Sequence, residues 1–376
     1  MRGDALGFTR LFLALVVVLD HAAYSKWLGV DGHFAVMFFF MISGFYMALV
    51  LNTKYPEGSA FRFYIARFLR LWPTYIVAFA AVLLFVHEMN SIADKAPITD
   101  LYVKFVAVAL VGYDTLTWFA LDTVSGTIIA TNDIRRTATV HPLDALPMMR
   151  QMWTLGIEIW FYVAAPFLAR RPRRLILAFA GAYAIHVWIS SNVGPLHPLR
   201  GRSAFNFFYL FFAGMIAYHV YAAVKPWFET IPSRNAAYAG VICFTAGPAF
   251  MILAEFVGAY AGHWGLMQDV TYLLFAMALI PIFGLTRNWR RDRAIGELSY
   301  PVYVIHMPIV TNWMIIEGRG DPMMAPVFLG IAIALGALLH FAVERPADKL
   351  RARFTDPLEH RPPAPVGGSA GVAQGY

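Results

Sequence analysis

Apolar blocks recur along the chain near residues 8–24, 34–52, 73–88, 101–121, 150–169, 175–191, 204–223, 236–257, 267–286, 297–316 and 324–343, with short polar segments between them. A helix rising 1.5 Å per residue needs about 20 apolar residues to cross a hydrocarbon core. The pattern therefore predicts a series of membrane-crossing helices. Block 101–121 is the exception, because it carries Lys104 and Asp114. Basic residues concentrate in 53–72 (Lys54, Arg62, Arg67, Arg70), in the RRPRR run at 170–174, in RNWRRDR at 287–293, and after Glu344. If every block spans, the second and third of these land opposite the first. If 101–121 instead lies at the interface or re-enters, all four share one side with the N-terminus, as the positive-inside rule favours. The expected fold class is all-α: a polytopic transmembrane helical bundle of about ten spans with no separate soluble domain. Both termini are expected to be cytoplasmic in a plasma (inner) membrane, with a long outer segment over 88–149.

Composition supports this class. Of 376 residues, 59% are hydrophobic and only 14% charged, against about 25% charged in a typical soluble domain. The net charge of +7 does not point to nucleic acid, since the cations lie between apolar blocks. A single cysteine, Cys243, excludes an intrachain disulfide and a cysteine-rich metal site, and no metal is expected. The first block lacks the small-residue cleavage site of a secretory signal. The transmembrane domain is expected over 5–348. Residues 349–376 form a cytoplasmic, largely disordered tail, rich in Pro, Gly and Ala towards its end.

Polar residues within apolar blocks are costly and mark candidate sites. Arg10 and His21 stand eleven residues apart on one block, which places them on one helical face roughly 16 Å apart. Alone, Arg10 reads as well as a snorkelling anchor, and His21 as an interfacial histidine with Tyr24 as a local partner. Arg67 and Arg70 share a face just before the third span. They are inside anchors or a phosphate clamp, since guanidinium forks suit phosphate oxygens. Ser43-Gly44 allows a helix or a ligand to approach the backbone closely. Glu158, five residues after Trp153, has three candidate roles: orienting a histidine, binding a substrate hydroxyl or pairing an arginine. Ser299, Tyr303 and His306 share one face of their block, and His306 reads equally as an interhelical bond or a site residue. His186, His219 and His340 lack such company and read as structural.

Six motifs occur in order. They are Arg10 followed by ten residues and His21; Phe39-Phe40-Met41-Ile42-Ser43-Gly44-Phe45; and Arg67-x-x-Arg70-x-x-Pro73-x-Tyr75. Then come Trp153-Thr154-Leu155-x-x-Glu158-x-x-Phe161-Tyr162; Ser299-Tyr300-x-x-Tyr303-x-x-His306; and Glu344-x-Pro346. Over about residues 5–348 the chain resembles the membrane-bound acyltransferase-3 family, which O-acylates sugars and other alcohols. It departs mildly in having one arginine at 67, where the family often has a pair, and Thr154 where serine is usual. No esterase-like domain follows the last span.

The resemblance implies cytoplasmic acyl-coenzyme A as co-substrate, first of all acetyl-coenzyme A, with its phosphates on Arg10, Arg67 and Arg70 and its thioester reaching towards His21. It implies transfer to a hydroxyl of a surface or exported sugar or polysaccharide. His21 is the expected general base, with an acyl-histidine intermediate as the alternative. Glu158 and His306 are expected to orient the acceptor, and Ser43 and Tyr303 to line the site. Two rivals differ in kind: an acyltransferase acting on a membrane lipid or small metabolite, and a secondary transporter using Arg10, His21 and Glu158 as a proton path. No inverted repeat or paired broken helices support the transporter.

Overall fold

The computed structural model describes residues 6–22, 32–85, 96–135, 137–145, 149–232, 264–317 and 324–355. Block 236–257 with Cys243, Tyr24 and the tail beyond 355 lie outside them. Every other apolar block except 101–121 falls on one helix: α1 Gly7–His21, α2 Gly32–Thr53, α3 Ala60–Phe85, α5 Trp153–Leu168, α6 Pro172–Asn192, α7 Ala204–Glu229, α8 Trp264–Thr286, α10 Ser299–Glu317 and α11 Ala325–Leu339. The short helix α4, Pro97–Ala109, precedes α5. The short helix α9, Arg290–Gly296, precedes α10. The last helix is α12, Arg345–Thr355. Six helical stretches among the described residues are long and apolar enough to cross a membrane; Trp153–Leu168 is a shorter apolar helix. Their apolar faces point both inwards and outwards. Leu84, Leu177 and Leu338 stay exposed, as expected where the surrounding solvent is hydrocarbon.

Block 101–121 is not one helix. α4 starts on Pro97 at its first turn, where the missing N–H costs nothing, and ends when Leu110 turns left-handed at φ 65°. Its 13 residues rise only about 20 Å. Its last carbonyls lack helical partners and find them on α3: the Tyr75 hydroxyl donates to Ala107, and the Trp72 indole N–H to Val108 at 3.0 Å. Beyond it lies a three-stranded antiparallel sheet that no pattern of the sequence predicted. It is formed by β1 Phe119–Asp122, β2 Ile128–Ala130 and β3 Val140–Pro142 in the order β2-β1-β3, with Ala120 opposite Ile129 and Leu121 opposite His141.

α3 differs from its expected bounds. It begins at Ala60, not at 73, and runs through Pro73, so Arg67 and Arg70 lie within the helix. α11 passes through a π-turn, His340–Glu344, into α12. Helix α12 therefore covers residues 349–355.

Three close approaches set the helix positions. A Cβ on Gly44 would fall on the Phe211 carbonyl, and one on Gly214 on the Met41 carbonyl, so α2 and α7 pack backbone to backbone. Gly7 packs in the same way on Gly296. The start of α1 is held from α9, where the Asp292 carboxylate accepts the Gly7 and Phe8 N–H groups at 3.0 and 2.8 Å. α1 and α10 thus run side by side in one direction. The 53–59 and 169–171 turns meet at one end of the bundle, where Arg170 donates to the Leu51 and Tyr55 carbonyls and caps α2.

Candidate active site

Between α1, α2, α3, α5 and α10 lies a cavity of about 300 Å³. One end is cationic: Arg10, Arg67, Arg70, Arg293 and Arg351 line it, against Glu158, Glu297 and Asp348. The arginines are not equivalent. Arg70 pairs with the buried Glu344 and, at 3.3 Å, with Asp348. The π-turn brings Glu344 there, and His340 holds its other oxygen at 2.8 Å while facing Glu297 at 3.4 Å. His340 therefore has charged company: Glu344 as its i+4 neighbour, and Glu297 from just before α10. Arg10 and Arg67 have no carboxylate within ion-pair distance among the described residues. Their guanidiniums sit 5.9 Å from the Tyr46 ring and 5.6 Å from the Phe63 ring, and the buried Arg67 Nε makes no hydrogen bond. Guanidinium forks of this kind suit the oxygens of an anion.

At mid-cavity, Glu158 Oε1 accepts the Ser43 hydroxyl at 2.5 Å and the Tyr162 hydroxyl at 2.6 Å. Ser43 owes its place to Gly44, whose contact with α7 presses α2 into the bundle. Glu158 touches neither histidine. It has no arginine within ion-pair distance among the described residues, and its Oε1 accepts from two hydroxyls of the protein itself.

Towards the opposite end, Tyr303 and Thr154 share a hydrogen bond of 2.7 Å, and Thr154 donates to the Gln151 carbonyl at 2.8 Å. One turn further along α10, fully buried His306 places Nε2 2.9 Å from His21 Nδ1, with the rings inclined by only 12°. His21 is the last residue of α1 and is exposed. His306 Nδ1 lies 2.5 Å from the Tyr303 carbonyl. This stretch of α10 is braced from outside the helix. Pro308 has no N–H to give the Val304 carbonyl, and the Gln151 side-chain amide donates to that carbonyl instead at 3.3 Å.

The structure thus gathers Arg10, Arg67, Arg70, Ser43, Glu158 and Tyr303 on one cavity and sets His21 and His306 in contact one turn beyond it. Ser299 also lines the cavity, but its hydroxyl donates to the Gly296 carbonyl at 2.7 Å and closes the helix start. His186 bonds Asn206 at 2.9 Å, and His219 bonds the Ala169 carbonyl at 2.9 Å, both away from the cavity. Sequence reasoning missed Arg293, Arg351, Tyr162 and Gln151. The first two sit in runs that the positive-inside rule already explains. Tyr162 is legible as the i+4 neighbour of Glu158. Only the Pro308 gap points to Gln151.

The arrangement defines a class: a polytopic helical membrane protein whose helices enclose an arginine-lined cavity with a pair of contacting histidines one turn beyond it. The sequence comparisons make this specific. A family model described as an acyltransferase domain matches residues 4–341, and the chain belongs to the acyltransferase-3 family. Nodulation protein 10 of Rhizobium leguminosarum bv. viciae is 24% identical over 369 residues, covering 91% of this chain and 92% of that protein. No solved structure matches. The protein is a membrane acyltransferase that transfers groups other than aminoacyl groups.

Proposed function

We propose that the protein moves an acyl group, acetyl in the first instance, from cytoplasmic acyl-coenzyme A to a hydroxyl of an extracytoplasmic or exported sugar, with His21 as general base. One observation carries this reading. The cavity has at one end two arginines, Arg10 and Arg67, with no carboxylate within ion-pair distance among the described residues, and two contacting histidines lie one turn beyond its other end along α1 and α10. Donor phosphates bind Arg10 and Arg67, and Arg293 and Arg351 extend the cationic mouth. The pantetheine arm follows the cavity past Ser43 and Glu158. At the far end His21 takes the acceptor hydroxyl proton, the oxygen attacks the thioester carbonyl, the C–S bond breaks, and the departing thiolate recovers a proton from the imidazolium.

The arginine end is cytoplasmic in this reading. The 53–59 and 169–171 turns lie together at one end of the bundle, and the basic runs around them obey the positive-inside rule. The membrane is the plasma (inner) membrane, with both termini on the cytoplasmic side.

The test is thioester cleavage by protein reconstituted in nanodiscs, with labelled acetyl-coenzyme A and candidate sugars. His21→Ala and His21→Gln should lose about 10²–10⁴-fold in turnover while binding the donor as wild type does. Label left on wild-type protein without acceptor, and absent from both variants, would favour the acyl-histidine route. Substantial turnover by a normally expressed His21→Gln would remove His21 from the mechanism. Acylation of lipid in preference to sugar would replace the acceptor class.

A further inference from the structure

We infer that His306 is a positioning residue that selects the nitrogen of His21 which takes the proton. The inference rests on the reading of His21 as base and goes beyond it, because two contacts order the hydrogen bond between the rings. A backbone carbonyl can only accept. The 2.5 Å contact between His306 Nδ1 and the Tyr303 carbonyl therefore places a hydrogen on Nδ1. A neutral imidazole carries one N–H, so Nε2 of His306 keeps its lone pair and accepts. Its partner at 2.9 Å is His21 Nδ1, which must then be the donor. Nε2 of His21 is left as the nitrogen with the lone pair. The chain runs from His21 Nδ1–H to His306 Nε2, and from His306 Nδ1–H to the Tyr303 carbonyl.

Orientation of a catalytic histidine through its second nitrogen is ordinarily the work of a carboxylate. Of the carboxylates lining this cavity, Glu158 holds Ser43 and Tyr162, and here a second histidine supplies the acceptor. The geometry suits that task. His306 is fully buried, its ring is anchored to its own helix, and that helix is braced by Gln151 on the Val304 carbonyl. A ring so held can fix the plane and tautomer of its neighbour. When His21 becomes an imidazolium, the Nδ1–H bond to His306 strengthens, because one partner is now charged. The proton itself comes from the acceptor hydroxyl and leaves with the coenzyme A thiol. His306 neither gains nor loses one.

Two measurements test this. In protein labelled with ¹⁵N-histidine, the imidazole shifts of wild type should show His21 protonated on Nδ1 at a pH where it is neutral, and His306→Leu should abolish that preference. His21 protonated on Nε2 in wild type would overturn the proposal. In turnover assays His306→Leu should lower kcat about 10²-fold or more, with donor KM unchanged. His306→Gln presents an amide oxygen near the position of Nε2 and should recover to within about tenfold of wild type, because it can still accept from Nδ1. Equal loss in folded Leu and Gln variants would mean that His306 itself carries a proton, and the positioning role would be wrong. The NMR readout on wild type needs no variant to fold. Turnover that survives His21→Gln would defeat the base assignment separately, without altering the tautomer result.

Discussion

The Ser43 hydroxyl donates to the Glu158 carboxylate across 2.5 Å and joins α2 to α5 inside the cavity wall. Tyr162 donates to the same oxygen at 2.6 Å, so removing Glu158 strands two hydroxyls. Glu158→Ala should destabilise the protein by about 1–3 kcal/mol per stranded group, and Glu158→Gln by less, since an amide oxygen still accepts. A double-mutant cycle between Ser43→Ala and Glu158→Gln, read by thermal unfolding in detergent, should give a coupling of about 0.5–3 kcal/mol. Strict additivity would show that the contact is absent.

Arg67 and Arg70 should separate experimentally. Arg67 has no carboxylate partner among the described residues, so Arg67→Ala should leave the melting temperature unchanged and weaken acyl-coenzyme A binding. A charge-assisted bond of about 1.5–3 kcal/mol corresponds to roughly 10–150-fold in affinity.

Arg70 compensates the buried Glu344. Arg70→Ala leaves that buried carboxylate with His340 as its partner but without the arginine's charge, and should cost up to about 3–5 kcal/mol in stability. Adding Glu344→Gln should restore most of the loss. A stable Arg70→Ala single variant would mean that the pair holds nothing together.

The α2–α7 contact allows no side chain at two positions. Gly44→Ala and Gly214→Ala each drive a Cβ into a carbonyl of the facing helix and should cost about 3 kcal/mol or more, at the upper end for overpacking. Gly330→Ala, with nothing within 4 Å of the new Cβ, should be neutral or stabilising by up to about 1 kcal/mol. Melting temperatures of the three variants decide the point.

Asp292 holds the first N–H groups of α1 from a distant part of the chain. Burial pushes its carboxyl above the usual 3.8, against the lowering effect of those N–H bonds. The folded state therefore keeps its proton to higher pH than the unfolded state does. Between the two values the folded state binds more protons, and stability falls as pH rises; below both values the group contributes no slope. Wild type should lose stability relative to Asp292→Asn as pH rises from about 4 through that window, with a constant difference above it. A gap that moved in favour of wild type would show that the N–H bonds outweigh burial. Asp292→Ala at neutral pH should cost about 1 kcal/mol, as loss of a helix cap does.

Much of the architecture was legible because a membrane helix must satisfy its backbone internally and present an apolar surface, so blocks such as 34–52 and 204–223 announce themselves. Lys104 and Asp114 were enough to set 101–121 apart. Spacing along single helices was legible too: Tyr303 and His306 fall where their separation puts them. The order of motifs also carried the family resemblance. The small sheet was not legible, since strands of three and four residues leave no usable period.

What only the tertiary structure decided is which side chains meet across helices, because local spacing says nothing about a partner more than a hundred residues away. Ser43 and Glu158, and Asp292 and the start of α1, meet where Gly44, Gly7 and Gly296 let backbones close. The π-turn before α12 also turns Glu344 onto Arg70. The sequence by itself put a cation and a histidine on one face of the first helix. Packing chose the rest: Arg67 and Arg10 outside ion-pair distance of any carboxylate among the described residues, Arg70 on Glu344, and His21 against His306. Each of these depends on the distance between two helices, which no single helix encodes.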